Sequence, residues 1–328
     1  MIIATDARTI LLRLASSVKV TKPARIGSLA GESIKGAVFA GCGDSLAAAL
    51  LCENYGHQAK SSGDLAWRSW PVAERTTLAG VSLSGASGAT VLAAQLAARR
   101  RVDTIAITAS AGSPLAEACG RTILVPRLAV TETVPALGYV MLSLGVLAAC
   151  GVDMSDAPSL IGDAIETLME PASRAVSDFP SDLPWGISVL TLPDLRSAGE
   201  FWSLKLIEAT GLPVRCVPLE ESGHVDYFIG PQPHVTVQLV GWDGRERHSE
   251  LSDALKRNGH ALIELDVGKW VSQGAQDLEG SNDFITVATG AVGAYVASEL
   301  ADRWHRVPFR NGDVNMDASH IQLGRGTD

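Results

Sequence analysis

Three serines crowd the stretch "VSLSGASGAT" (81–90): Ser82, Ser84 and Ser87, with Gly85 and Gly88 among them. A related stretch, "FAGCGDSL" (39–46), carries Gly41, Gly43 and Ser45. Each directly follows an apolar run and precedes a helical pattern. A helix N-terminus offers unpaired N–H groups and about half a positive charge. Serine hydroxyls add donors, and glycine lets the backbone come close, so an anion such as a phosphate is held without lysine. Turn serines and helix caps would explain either stretch alone. Their occurrence at two strand ends in this order favours the anion reading. Competing motifs fail on composition: the sixth position of "GCGDSL" is Leu46 rather than the last glycine of GxGxxG, and neither GxxxxGK[ST] nor GxSxG is present.

A different chemistry lies in "SAGEFWSLKLIEATG" (197–211). Ser197 and Glu200 read as a capping box, and Gly211 with Pro213 as the stop. The helix is apolar around most of its circumference, yet Lys205 and Glu208 project together, three residues apart. Buried charges are costly unless paired or used. The two residues are therefore either a structural ion pair or an acid–base pair. In the second case burial raises the Glu208 pKa toward neutrality while Lys205 opposes the shift. His224, between Glu221 and Asp226, has the ordinary pKa for proton exchange near neutrality, and Glu220 and Glu221 would raise it if close. By itself it reads as a surface histidine.

These groups need a scaffold. Short apolar runs alternate with helical stretches from about residue 37: strands at "GAVFAG", "TTLAGVSLS", "VDTIAITAS" and "RTILVP", and helices at "SLAAALLCENYG", "GATVLAAQLAARRR" and "VPALGYVMLSLGVLAAC". After a helical bridge, "LIGDAIETLMEPASRAVSD", the alternation resumes. Strands are expected at "GISVLTLP", "PVRCVPL", "HVTVQLVG", "GHALIELDV" and "DFITVATG". Helices are expected at 197–211, "SELSDALKRNG" and "AVGAYVASELADRWHR". Uniformly apolar strands with helical crossovers predict α/β architecture: two doubly wound parallel-sheet domains. The expected boundaries are an N-terminal segment 1–35, a first domain 36–151, a linker 152–183, and a second domain 184–328 with a C-terminal tail.

The 328 residues suit two cores, and 46% hydrophobic with 19% charged residues is a globular balance. A net charge of −9 without basic clusters speaks against a nucleic-acid surface. Arg99, Arg100 and Arg101 suit the end of a helix. No run of about 18 uncharged apolar residues and no leader pattern stands out, so the expectation is a cytoplasmic protein without a membrane partner. Cys42, Cys52, Cys119, Cys150 and Cys216 are scattered and read as free, mostly buried thiols. The seven histidines form no HExxH pair, and no metal is expected.

The "GCGDS" and "SLSGAS" loops resemble the two phosphate-binding segments of the sugar isomerase (SIS) domain family, a likeness covering most of residues 35–150. The resemblance implies that the winding is flavodoxin-like, and it implies Ser45, Ser82, Ser84 and Ser87, with Gly43, as phosphate ligands. The family's glutamine between the first two serines is Leu83 here, and its acidic residue after the glycine is Ala86. "LKLIEAT" (204–210) and "EESGHVD" (220–226) are similar to the second SIS domain in the isomerase half of glucosamine-6-phosphate synthase and to shorter sugar-phosphate isomerases and deaminases.

By that similarity Glu208 moves the proton, Lys205 accompanies it, and His224 helps open the sugar ring. The family's histidine comes from the neighbouring subunit, which implies a homodimer with shared sites, and no cofactor is implied. The resemblance thus implies a phosphosugar isomerase or deaminase acting by C1–C2 proton transfer. The alternatives are a fructosamine-6-phosphate-type deglycase and a non-catalytic sugar-phosphate sensor. Two departures stand out: "HVD" replaces the family's "HGP", and no lysine follows Lys269 where the synthase ends in an essential one. His320 is then the candidate tail contact, beside Arg306, Arg310 and Arg325.

Overall fold

A computed structural model describes residues 6–27, 34, 36–67, 76–229, 233–274 and 281–309. The chain opens with α1 (Ala7–Lys19), which buries Leu11, Leu14, Ala15 and Val18. Then come β1 (Val38–Gly41), α2 (Asp44–Ala49), β2 (Gln58–Ser61), α3 (Ser62–Trp67), β3 (Thr77–Val81), α4 (Gly88–Arg99), β4 (Asp103–Thr108), α5 (Pro114–Ala118), β5 (Arg121–Leu124) and α6 (Leu137–Ala149). After α7 (Ala157–Asp178) follow β6 (Gly186–Thr191), α8 (Arg196–Thr210), β7 (Val214–Pro218), α9 (Ser222–Val225), β8 (His234–Val240), α10 (Arg245–Arg257), β9 (Ala261–Asp266), α11 (Val267–Gly274) and α12 (Asn282–Arg303).

Two compact units result. One comprises the described parts of residues 20–129 and 137–158 and holds a parallel sheet of order β2-β1-β3-β4-β5. The other comprises the described parts of 1–19, 130–136 and 159–314 and holds a parallel sheet of order β7-β6-β8-β9. The α/β, doubly wound expectation holds for both. Strands β1, β3, β6 and β8 are buried along their whole length, which is why they read as largely apolar runs. Polar β2, at an edge, gave no such signal.

One strand expectation is corrected. "DFITVATG" is not a strand but the first two turns of α12, so the second sheet has four strands. Every residue of this helix from Phe284 to Ala297 is buried, which leaves no helical period to read, and its β-branched residues then mimic a strand. By length and composition α12 could cross a membrane, but 89% of the qualifying stretch is buried, and the helix packs on α8. Trp202 of α8 locks that contact by donating its indole N–H to the Thr289 carbonyl at 2.6 Å.

Candidate functional site

In the five-stranded sheet, β1 and β3 are neighbours whose onward connections run to opposite sides, to β2 and to β4. Their carboxyl ends therefore flank the switch point, where open parallel sheets bind ligands. Both serine–glycine loops emerge there. β1 ends at Gly41 and α2 starts at Asp44 behind Gly43, placing half-buried Ser45 in the first helical turn. β3 ends at Val81, and Ser82–Ser87 lead to α4 at Gly88.

Ser87 occupies the N-cap position of α4 but makes no capping bond. Its hydroxyl lies 3.1 Å from that of buried Ser82 instead. Ser82 and Ser84 also accept from the backbone N–H groups of Gly85 and Ala86, both at 3.2 Å, so these two do serve as turn serines. Gly85 has φ +67°, and a Cβ there would fall 2.1 Å from the Ser113 hydroxyl that caps α5. Leu115 N–H donates to the Gly85 carbonyl at 2.9 Å and ties the loop to α5. The loop is thus held rigidly, with hydroxyls at the positive end of a 12-residue helix.

In the four-stranded unit, a 3₁₀ turn at Pro193–Leu195 runs straight into α8, whose N-cap is Leu195 without a side-chain bond. Ser197 and Glu200 accordingly lie inside the helix, and the capping box expected from sequence is not formed. Burial pushes the Glu200 carboxyl up, only partly opposed by Arg196. Further along, Lys205 is 1% exposed and donates to Glu208 Oε2 at 2.6 Å, while Glu208 keeps 28% exposure. The Lys205 ammonium also sits 4.9 Å from the centre of the Phe201 ring. One end of the pair is sealed, and the carboxylate faces out.

His224 is exposed on α9. Glu220 is taken by Arg247, whose two nitrogens reach it at 2.8 and 3.0 Å and hold its carboxyl below the usual range. Arg306 Nε donates to the Thr210 carbonyl at the end of α8, at 2.7 Å. His320, Arg310 and Arg325 lie outside the described residues. Among the described residues no cluster of three metal-binding side chains occurs. Cys42 is exposed in the β1 loop, Cys52 is buried, and Cys119, Cys150 and Cys216 are half-buried.

Sequence reasoning passed over a polar network on one face of the second sheet. Ser188 Oγ donates to Asp226 Oδ1 at 2.5 Å, Arg215 Nη2 donates to the same oxygen at 2.7 Å, and His234 Nε2 lies 2.9 Å from Ser188 Oγ. The readable signal was a polar residue at alternate positions within otherwise apolar strands: Ser188, Thr236 and Gln238, all fully buried.

No protein-family model matches the chain, and no curated protein matches it either. Solved structures do. The C-terminal domain of glucosamine-fructose-6-phosphate aminotransferase from Francisella tularensis superposes with TM-score 0.67 at 15% identity, over 90% of this chain and 96% of that one. Tagatose-6-phosphate ketose/aldose isomerase from Escherichia coli gives 0.64 at 17% identity, over 83% and 84%. Glucosamine-6-phosphate deaminase from Thermotoga maritima gives 0.63 at 15% identity, over 88% and 94%. The fold is that of SIS-type proteins.

On this SIS-type fold the two units treat the same position differently. At the carboxyl ends of β6 and β8 the Asp194 carboxylate accepts from the N–H groups of Leu195 at 3.0 Å, Trp242 at 2.8 Å and Asp243 at 3.4 Å. The amides that could turn toward a ligand anion are engaged by the chain's own carboxylate. Burial raises the Asp194 pKa, outweighing these bonds.

Proposed function

We propose that the protein is a phosphosugar isomerase or deaminase that moves a proton between C1 and C2 of an open-chain aldose or amino-sugar phosphate. The observation that carries the reading is the Ser82–Ser87 hydroxyl pair at the N-terminus of α4, at the switch point of a SIS-type sheet. Ser45, Ser82, Ser84 and Ser87 hold the phosphate. The acid–base work falls to Glu208, whose carboxylate keeps an open side while Lys205 fixes the other. It takes the C2 proton of the aldose, leaving an enediol, and returns a proton to C1 to give the ketose. From an amino sugar the same transfer yields a ketimine, and water releases ammonia from it. His224 serves ring opening, and the working form is a homodimer.

The test is incubation with glucosamine 6-phosphate, fructose 6-phosphate and fructosamine 6-phosphate, following ammonia, free amine and ketose separately. Ketose or ammonia production abolished in Glu208→Gln supports the proposal. Turnover untouched by that substitution removes Glu208 from the mechanism. Amine release from fructosamine 6-phosphate alone identifies a deglycase. A rise in melting temperature without turnover identifies a sensor.

A further inference from the structure

The amino ends of β6, β7 and β8, opposite to the ligand end of a parallel sheet, border a cavity of about 330 Å³. Its lining includes Trp185, Ile187, Val214, Arg215, Ile229 and His234. The volume sits at the small end of ligand cavities, about 300–1,000 Å³. Apolar surface dominates the wall, and Trp185 stands 66% exposed, an unusual place for an indole.

The polar groups are arranged with opposite demands. Ser188 gives its only proton to Asp226 Oδ1, so both of its lone pairs are left to accept: one from Arg215 Nε at 3.1 Å, the other from His234 Nε2. That fixes the hydrogen of a neutral His234 on Nε2 and leaves Nδ1 as an acceptor. Burial favours this neutral form, since it lowers the His234 pKa against the pull of Asp226. Arg215 has Nε and Nη2 engaged and Nη1 without a partner among the described residues. The cavity therefore offers a guanidinium donor and an imidazole acceptor. The Arg215 charge is balanced by its ion pair with buried Asp226. Hydrogen-bonding capacity is also left over nearby: Asp226 Oδ2 and His260 Nε2 are buried without partners among the described residues.

The geometry points to a binding site for a small zwitterion with an apolar side chain, an aromatic or branched α-amino acid, distinct from the phosphate loops. The carboxylate pairs with Arg215, the ammonium donates to His234 Nδ1, and the side chain lies against Trp185, Val214 and Ile229. A zwitterion suits a site of zero net charge, whereas a simple acid or amine would leave one polar group of the pair unanswered at a cost of about 1.4 kcal/mol, tenfold in affinity.

The experiment titrates the full chain with L-phenylalanine, L-leucine, phenylacetate and phenethylamine, reading Trp185 fluorescence against Trp185→Phe and the His234 ring resonances by NMR. The expected result is saturable binding of the amino acids, at least tenfold weaker binding of both single-charge analogues, and no competition by glucosamine 6-phosphate. Trp185→Ala, at an exposed position, and Arg215→Lys should each weaken binding. No saturable change at Trp185 and His234 with either amino acid would overturn the proposal, as would equal binding of phenylacetate. Because neither readout depends on turnover, this result stands whether or not the isomerase reading survives.

Discussion

Removing the two ends of the Lys205–Glu208 pair one at a time should give unequal losses, and the inequality follows from burial. Glu208→Gln leaves an ammonium that is 1% exposed facing a neutral amide. Stripping one partner from a buried pair costs about 3–5 kcal/mol. Lys205→Met leaves a carboxylate with 28% of its surface open. Water reaches that group, so the loss falls to about 1–2 kcal/mol, near the low end for an unmet polar group. At about 2–4 °C per kcal/mol the first substitution lowers the melting temperature by roughly 10 °C and the second by roughly 4 °C. Calorimetry on the two variants and the parent measures this. The activities should separate in another way. Glu208→Gln removes turnover, whereas Lys205→Met keeps the carboxylate and with it part of the activity. A Lys205→Met protein less stable than Glu208→Gln, or one as inactive as it, would refute the argument.

Other expectations are briefer. In Gly85→Ala the new methyl meets Ser113 at a left-handed backbone position. KM for a phosphosugar should rise at least tenfold with a smaller change in kcat, measured by steady-state kinetics. Ser82→Ala should weaken phosphosugar binding while leaving neutral sugars unaffected, read by calorimetric titration. In Gly293→Ala a Cβ would stand 2.4–2.7 Å from three atoms of the Trp202 indole, which its bond to Thr289 holds in place. Overpacking of about 1–3 kcal/mol should outweigh a helix gain of up to about 1 kcal/mol, and a raised melting temperature would contradict it. Buried His248 is pushed down to about 4 from its ordinary 6.5, chiefly by burial. Between these values the unfolded chain takes a proton that the folded chain refuses. Stability therefore falls as pH drops through that window, by up to about 1.4 kcal/mol per pH unit, and levels off below it. His248→Phe should flatten the slope in urea titrations.

Most of the strand series was legible because the inner strands are covered on both faces and stay largely apolar. The two loops were legible as strand-to-helix turns because serines and glycines separate an apolar run from a helical pattern there. What escaped was the information that only packing carries. The β-branched run from Phe284 to Thr289 is helical because α12 is enclosed on all sides. Glu200 lies within α8 because the Pro193–Leu195 turn feeds directly into it. Asp226, read as a mere flank of His224, is wholly buried. The pairing of Lys205 with Glu208 followed from spacing, but the unequal exposure of its two ends did not.

Asp194 bears on stoichiometry. Two halves wound alike would ordinarily present two berths for the same guest. In the rear half the berth comes furnished with a permanent lodger, so the phosphorylated sugar counted per polypeptide should be one, not two.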